Sequence, residues 1–410
     1  MGIRLEHPEA LAEFERAPGG RVRGWALAFL VLWLLLVGGD WVGRFYLFRC
    51  QDQWWPVPAA STPIRKGEAP HQTITIPAQT GAGLTHMVPA PWIAARHAEH
   101  HPEYVEYRDG WGYANAPAAE DTYYPVVMTG DSFMLSLGTQ NVAQVLAGLG
   151  GIPVYNHALP GSGPLLEIQR FIMSGRVGAP AQVVGWDLIG RELGAPLFLR
   201  QPVEAWFAQI DVWAKDREDA ARFYVRLKKL LPSELRKDWP NTSVLAYFCR
   251  HAWGLIELAV FRDWPRDVMG VEDPQFGPML FYRENLRVLP FLTAEENAPG
   301  VVKTVARISR GLRERGVTLV IMLVPEKEQI HVRALPPAEQ MTLADGPALL
   351  AAIASGLEQE GVPVVNLMPV FQQVTAAGQR LYWRDDTHWN DAGIRLAAEE
   401  LWRVVEPLLK

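Results

Sequence analysis

From residue 121 onward the chain alternates short apolar runs with amphipathic stretches, and this rhythm restricts the fold more than any other feature of the sequence. The apolar runs are Pro125–Thr129, Ile152–Tyr155, Gln182–Leu188, Val317–Val324 and Val362–Leu367, each bounded by Gly, Pro or polar residues. Helices are expected between and after them, over Ser132–Leu149, Pro164–Ser174, Val301–Gly316, Pro347–Gly361 and Ala392–Leu408. Runs this short and this uniformly apolar suit strands covered on both faces, which means a parallel sheet between two helical layers. The closing helix fits: Ile394, Ala397, Leu401, Val404 and Leu408 recur at three- or four-residue spacing, and Asn390 or Asp391 can cap it. The fold class is therefore α/β, a doubly wound parallel sheet over 121–410, interrupted by an aromatic-rich, mostly helical insertion at 196–290. With 49% apolar and 20% charged residues in 410, the chain can fill such a core and is not mainly disordered.

The N-terminus carries a second signal. Residues Gly24–Gly39 hold no charge and lie between Arg23 and Asp40. As a helix this stretch spans about 24 Å against a hydrocarbon core of ~30 Å, and Trp41, Arg21 and Arg23 extend its reach at the interfaces. The reading is a transmembrane signal anchor over 24–42, with a cytoplasmic tail over 1–23 and a linker and lead-in segment over 43–120. A cleaved signal peptide is the alternative, because Val37-Gly38-Gly39 resembles a small-residue cleavage site. Arg4, Arg16, Arg21 and Arg23 precede the apolar run, whereas Arg44 and Arg49 come after it. That bias puts the N-terminus in the cytoplasm and the rest beyond the membrane: a single-pass inner-membrane protein with a periplasmic C-terminal domain. A net charge of −6 without a Lys/Arg block argues against nucleic acid as a partner. Two cysteines, Cys50 and Cys249, exclude a disulfide scaffold and a Cys-based zinc site, and leave one disulfide open. Arg96–His101 reads as an exposed polar helix end rather than a metal site. No nucleotide or acetyl-CoA motif is visible, so no cofactor is expected.

Ligands of open α/β sheets bind beyond the carboxyl ends of the strands, so the polar residues there are the candidates for chemistry. The first strand runs into Gly130-Asp131-Ser132-Phe133. Gly130 permits a tight turn, and Ser132 falls near a helix N-terminus, where free N–H groups favour the negative charge of an oxyanion. The same tripeptide also serves as a plain helix cap. The second strand ends in a loop containing Gly161, whose N–H can donate to an oxyanion. After the third comes Arg191, a donor to a carboxylate or sugar hydroxyl, or else a surface ion-pair partner of Glu192 or another acid. Near the C-terminus, Asp385 and Asp386 precede His388; a carboxylate holding one imidazole nitrogen leaves the other as a general base. Tyr382, Trp383 and Trp389 flank this histidine and either stack on sugar faces or pack in the core. Pro325-Glu326-Lys327 comes directly after the most apolar strand and either lines the cleft or forms a surface loop.

These segments together resemble a known family. Gly130-Asp131-Ser132-Phe133 is similar to block I of the SGNH (GDSL-type) hydrolases, and Asn156 with Gly161 to block II. Asp386-Thr387-His388-Trp389 resembles the histidine block of the alginate O-acetyltransferase-like branch, and Tyr107–Tyr113 a lead-in of that branch. The likeness covers about 107–192 and 317–408. It implies a flavodoxin-like sheet, a Ser132–His388–Asp386 triad, and an oxyanion hole from the N–H groups of Ser132 and Gly161, with Arg191 in the slot of the superfamily's asparagine. The general superfamily spacing selects Asp385 as the acid instead; the acetyltransferase-like spacing selects Asp386. Ser132 precedes His388, the ordinary SGNH order. The implied function is O-acetylation in exopolysaccharide biosynthesis by a membrane-anchored O-acyltransferase. Its acceptor would be a polysaccharide, and a multi-pass membrane acyltransferase would hand over the acyl group. The same triad would serve a carbohydrate esterase, and the same scaffold a non-enzymatic polysaccharide-binding assembly protein.

Overall fold

The computed structural model describes residues 27–40 and 42, most of 73–208, and 249 and 252–409 apart from short gaps; residues 89, 110–112, 118–121, 136–138, 160–162, 174–180, 200, 262–263, 266 and 344 are not described. By contact the chain divides into two units, Met1–Pro56 with Lys229–Trp253, and Val57–Lys228 with Gly254–Lys410. The main described part of the first is a helix over 27–40 whose Leu27, Phe29, Leu30 and Leu32–Leu36 side chains are exposed or nearly so. Among the described residues no helix is long and apolar enough to cross a membrane. Cys249 is exposed, and Cys50 lies outside the described residues.

The second unit is built on a five-stranded parallel sheet. In chain order the strands of this unit are β1 (Thr73–Ile76), β2 (Gln79–Thr80), β3 (His100–His101), β4 (Tyr104–Tyr107), β5 (Val126–Gly130), β6 (Val154–Ala158), β7 (Val183–Ile189), β8 (Val268–Asp273), β9 (Gly277–Tyr282), β10 (Thr318–Val324) and β11 (Val364–Asn366). The main sheet has the order β11-β10-β7-β5-β6. Counted within the sheet this is the flavodoxin-like order, which places a crevice where the winding reverses, between β5 and β7. Every residue of β5, β6 and β7 is buried, as a strand sandwiched between two helical layers must be. The five apolar runs of the sequence supply these strands, with ends shifted by one to three residues. Helices α1 (Val142–Gly150) and α6 (Asp391–Val405) pack on each other, as do α3 (Ala294–Arg313) and α4 (Gly346–Gln359); α2 (Gly163–Met173) comes after β6 and packs on β5 and β7, and α5 (Leu367–Ala376) packs on β10. Asn390 caps α6 by accepting the N–H groups of Ala392 and Gly393.

Three expectations are corrected. The helix expected over Ser132–Leu149 is a 3₁₀ turn, Ser132–Met134, followed later by α1. The start of α1 is set by a capping box in which Asn141 and Gln144 exchange hydrogen bonds. Within the span expected to be mostly helical, 268–282 is the antiparallel hairpin β8–β9. The described part of the segment read as linker and lead-in holds strands: β1 pairs with β4 and β2 with β3, and Asn115 exchanges hydrogen bonds with the main chain of Asn156 on β6.

Gly130 ends β5 at φ 153°, and a Cβ built on it would lie 1.5 Å from Oδ1 of the buried Asp187. Gly130→Ala is therefore expected to lower unfolding free energy by about 2–4 kcal/mol through strain and overpacking. Urea denaturation of the full chain measures it.

Candidate active site

Ser132 opens the 3₁₀ turn directly after β5. The carboxylate of Asp131 caps this turn by accepting the N–H of Phe133 at 2.8 Å. Ser132 therefore stands at a single short turn, not at the end of a long helix as expected, and any anion there depends on local N–H groups rather than on a macrodipole. The loop between α5 and α6 brings in the histidine. His388 Nε2 lies 2.7 Å from Ser132 Oγ across 256 residues of sequence. Its Nδ1 is 2.5 Å from Asp386 Oδ1, and the same oxygen accepts the His388 main-chain N–H at 2.9 Å. Two bonds from one residue to one oxygen fix the imidazole's orientation and assign the Nδ1–H tautomer, leaving Nε2 as acceptor. The loop is tied to the serine turn by Trp389, whose indole N–H donates to Phe133 O at 2.9 Å. Burial acts to raise the Asp386 pKa, but the charge and hydrogen bonds of His388, with Lys327 nearby, hold it below the usual carboxylate range. His388 keeps a partly exposed side chain, so the Ser–His pair opens to solvent.

Asp385, the other candidate acid, faces away from His388. It accepts main-chain N–H groups from Ala82 at 3.1 Å and Glu99 at 2.8 Å, and pairs with His101 Nε2 at 2.9 Å. It thus anchors the lead-in, not the imidazole. The lead-in in turn touches the triad-like acid. Gly83 has φ +47°, and a Cβ there would sit 1.7 Å from Asp386 Oδ2. The histidine patch is a helix end only in part exposed: a helix ends at His97 with Arg96 and His100 in solvent, while His97 and His101 turn inward. His97 donates to Ile93 O at 2.8 Å and His101 packs its ring 4.3 Å from Trp383, both buried.

Arg191 takes its ion-pair alternative, with Glu326 as the acid. Its main-chain N–H donates to Glu326 at 3.0 Å, and its guanidinium makes two further bonds to Glu326 at 3.0 and 3.2 Å, with Asp131 at 3.9 Å. The fully buried Glu326 demands a counter-ion, and Arg191 meets that demand instead of offering a free donor at the oxyanion position. Around it, burial, then the charge of Asp131, pushes Glu192 up to about 8, and burial with Asp131 and Glu192 pushes Asp187 far above its ordinary value. The expected sugar-stacking aromatics are core residues: Tyr382 and Trp389 are fully buried and Trp383 nearly so. Tyr382 O–H donates to Pro325 O. Gly161 lies outside the described residues.

Of the two readings of the segment after β10, the surface loop is excluded by burial; sequence reasoning missed Glu328 and the depth of the charges. Glu326, Lys327 and Glu328 are all completely buried. Glu328 accepts from Tyr282 N–H at 3.1 Å and Asn285 Nδ2 at 3.0 Å, and burial followed by Glu326 raises it to about 7. The available signal was position: charged residues immediately beyond the most apolar strand fall at the sheet's carboxyl edge.

A serine–histidine–carboxylate relay on the carboxyl edge of a doubly wound sheet defines an acyl-transferring or ester-cleaving type of site, and comparison with known proteins points the same way. Residues 280–410 match the family described as SGNH hydrolase-like domain, acetyltransferase AlgX. Two proteins named probable alginate O-acetylase AlgJ are similar: that of Pseudomonas putida at 26% identity over 38% of this chain, and that of Pseudomonas fluorescens at 22% over 28%. The match spans only 38% and 29% of those proteins' own lengths. Among solved structures, a catalytic mutant of Axe2, an acetylxylan esterase from Geobacillus stearothermophilus, aligns over 69% of this chain and 94% of its own at 12% identity, with a TM-score of 0.32.

The division of labour between the two aspartates is testable. Asp385→Ala strips partners from two buried N–H groups and from His101, and is expected to cost about 3–5 kcal/mol in urea unfolding.

Proposed function

We propose that this chain is an O-acyltransferase that acetylates a polysaccharide outside the cytoplasm, held at the membrane by its N-terminal apolar segment. The single observation that carries the reading is the unbroken hydrogen-bond run from Ser132 Oγ through both His388 nitrogens to Asp386. The match of residues 280–410 to an acetyltransferase family and the exposed apolar side chains of the helix over 27–40 support it.

In this mechanism His388 Nε2 takes the Ser132 hydroxyl proton as Oγ bonds to the acyl carbon of a donor ester. The carbonyl oxygen becomes an oxyanion, for which the proposed donors are the main-chain N–H groups of Ser132 and Gly161. Collapse breaks the bond to the donor's oxygen, and His388 returns the proton to that leaving group. A sugar hydroxyl, deprotonated by the same nitrogen, then attacks the acyl-serine; the acyl–Oγ bond breaks, His388 returns the proton to Ser132 Oγ, and the sugar leaves as its acetyl ester. Asp386 holds the imidazole and balances its transient positive charge. A multi-pass membrane acyltransferase is the proposed source of the acyl group.

Full-length protein incubated with an activated acetyl ester is expected to gain one acetyl group by intact mass, and Ser132→Ala to gain none. Asp386→Asn should slow acylation by about 10²–10⁴-fold. With an oligosaccharide present, acetylated sugar is the expected product. Free acetate alone would favour the esterase reading, and no adduct on the wild-type chain would leave only the assembly-protein reading.

A further inference from the structure

Lys327 is completely buried, yet it makes no salt bridge among the described residues. Its ammonium has three N–H groups, and each reaches a main-chain carbonyl: Leu280 at 2.7 Å, Arg384 at 2.9 Å and Asp386 at 2.9 Å. The Phe281 ring lies beneath it, 5.2 Å from Nζ. The carbonyl of Arg384 also accepts the Leu280 N–H at 2.8 Å. Hairpin strand β9, the segment after β10 and the histidine loop thus meet on one nitrogen. A lysine that served to neutralise an acid would bond a carboxylate. This one bonds backbone, and two of its three acceptors lie within four residues of His388.

We propose that Lys327 is a positioning residue for the Asp386–His388 pair, fixing through three carbonyls the main-chain register of the loop that carries both. The proposal rests on the reading of His388 and Asp386 as base and acid in the proposed function. Asp386 O is held by the ammonium while Asp386 Oδ1 holds the His388 N–H. A shift of that peptide therefore moves the carboxylate and the imidazole together, and misplacement by about 1 Å costs on the order of 10²-fold in rate.

Donor count makes the role sensitive to pH. Lys327 is faced by Glu328, Asp385 and Asp386, which favour its charge, and by Arg380 and His331, which do not. Burial is the strongest influence and brings its pKa down to about 8. The neutral amine has two N–H groups for three carbonyls, so turnover should fall as pH rises through about 8. Stability moves the other way. Between about 8 and the unfolded lysine value near 10.4, the unfolded chain binds a proton that the folded chain does not, so this group's contribution to folding rises with pH.

The test uses the full chain and Lys327→Met. The variant is expected to lose about 10²-fold in kcat, with KM within roughly 3-fold of wild type, to lack the alkaline fall near pH 8, and to exchange the His388 amide hydrogen at least about 10-fold faster. Wild-type turnover, or a lower rate with the His388 amide as protected as in wild type, would overturn the proposal. If Lys327→Met does not fold, the wild-type chain carries the test: falling turnover from about pH 7.5 to 9.5 with His388 amide exchange accelerating beyond its intrinsic pH dependence supports it, and no fall, or a fall with His388 protection unchanged, overturns it. Faster His388 exchange in a chain that forms no acyl-serine would uphold the loop-fixing role and sink the catalytic reading separately.

Discussion

One oxygen atom, Oδ1 of Asp386, accepts both the ring and the main-chain N–H of His388, and the site's geometry depends on keeping that oxygen in place. The carboxylate is buried and would favour its neutral form there; the imidazole keeps it charged. The dependence is mutual. Without the carboxylate the ring could present either nitrogen to Ser132; with it, only Nε2 is left. Around this pair the packing is unusually committed. Gly83 closes one side of Asp386 with a backbone that leaves no room for a Cβ, Lys327 holds its carbonyl from below, and Trp389 fastens the loop to the serine turn.

The charged residues of the carboxyl edge are the thermodynamic counterpart of that order. Glu326, Lys327, Glu328, Asp131 and Asp187 are buried together, an arrangement that raises several carboxyl pKa values and lowers that of the lysine. Buried charges stabilise little by themselves, and removing one partner is far more costly than never having had the pair. Such a network suits geometric definition more than stability. Arg191 illustrates the point: it is bound to Glu326 by main chain and side chain at once, so the end of β7 is locked to the end of β10.

How much of this was legible in the sequence depends on the range over which each feature is decided. The five strands were legible because burial on both faces leaves each run mostly apolar, with few polar positions such as Thr129, Asn156 and Asp187, a local signature. Ser132 and His388 were legible because a tight turn and a helix start leave local marks. The start of α1 was also on the surface of the sequence, in Asn141 and Gln144, but an apolar stretch masked it. The rest depended on distant partners. Asp385 and Asp386 are neighbours of like chemistry, and only the Ala82–His101 segment, some 284–303 residues away, decides which of them is left for the imidazole. Tyr382 and Trp389 have the composition of a sugar platform, and the core beneath the loop makes them packing instead. Arg191 has the position of a donor, and Glu326, 135 residues on, claims it.

Sheet topology explains why the segment after β10 carries so much of the load. Ser132 leaves β5, whereas the histidine loop leaves α5, the helix that follows the edge strand β11 and packs on β10. On its way to the serine the loop passes the carboxyl end of β10. The ground it crosses is the segment leaving β10, Pro325–Lys327. The tyrosine of the loop bonds Pro325 O, the lysine bonds the loop's carbonyls, and Glu326 joins the same ground to β7 through Arg191. In the Ser-before-His chain order the nucleophile sits at the winding reversal and the base arrives on the loop that follows α5. The buried fastener beneath that loop is a lysine, whose single nitrogen offers three donors to three converging carbonyls.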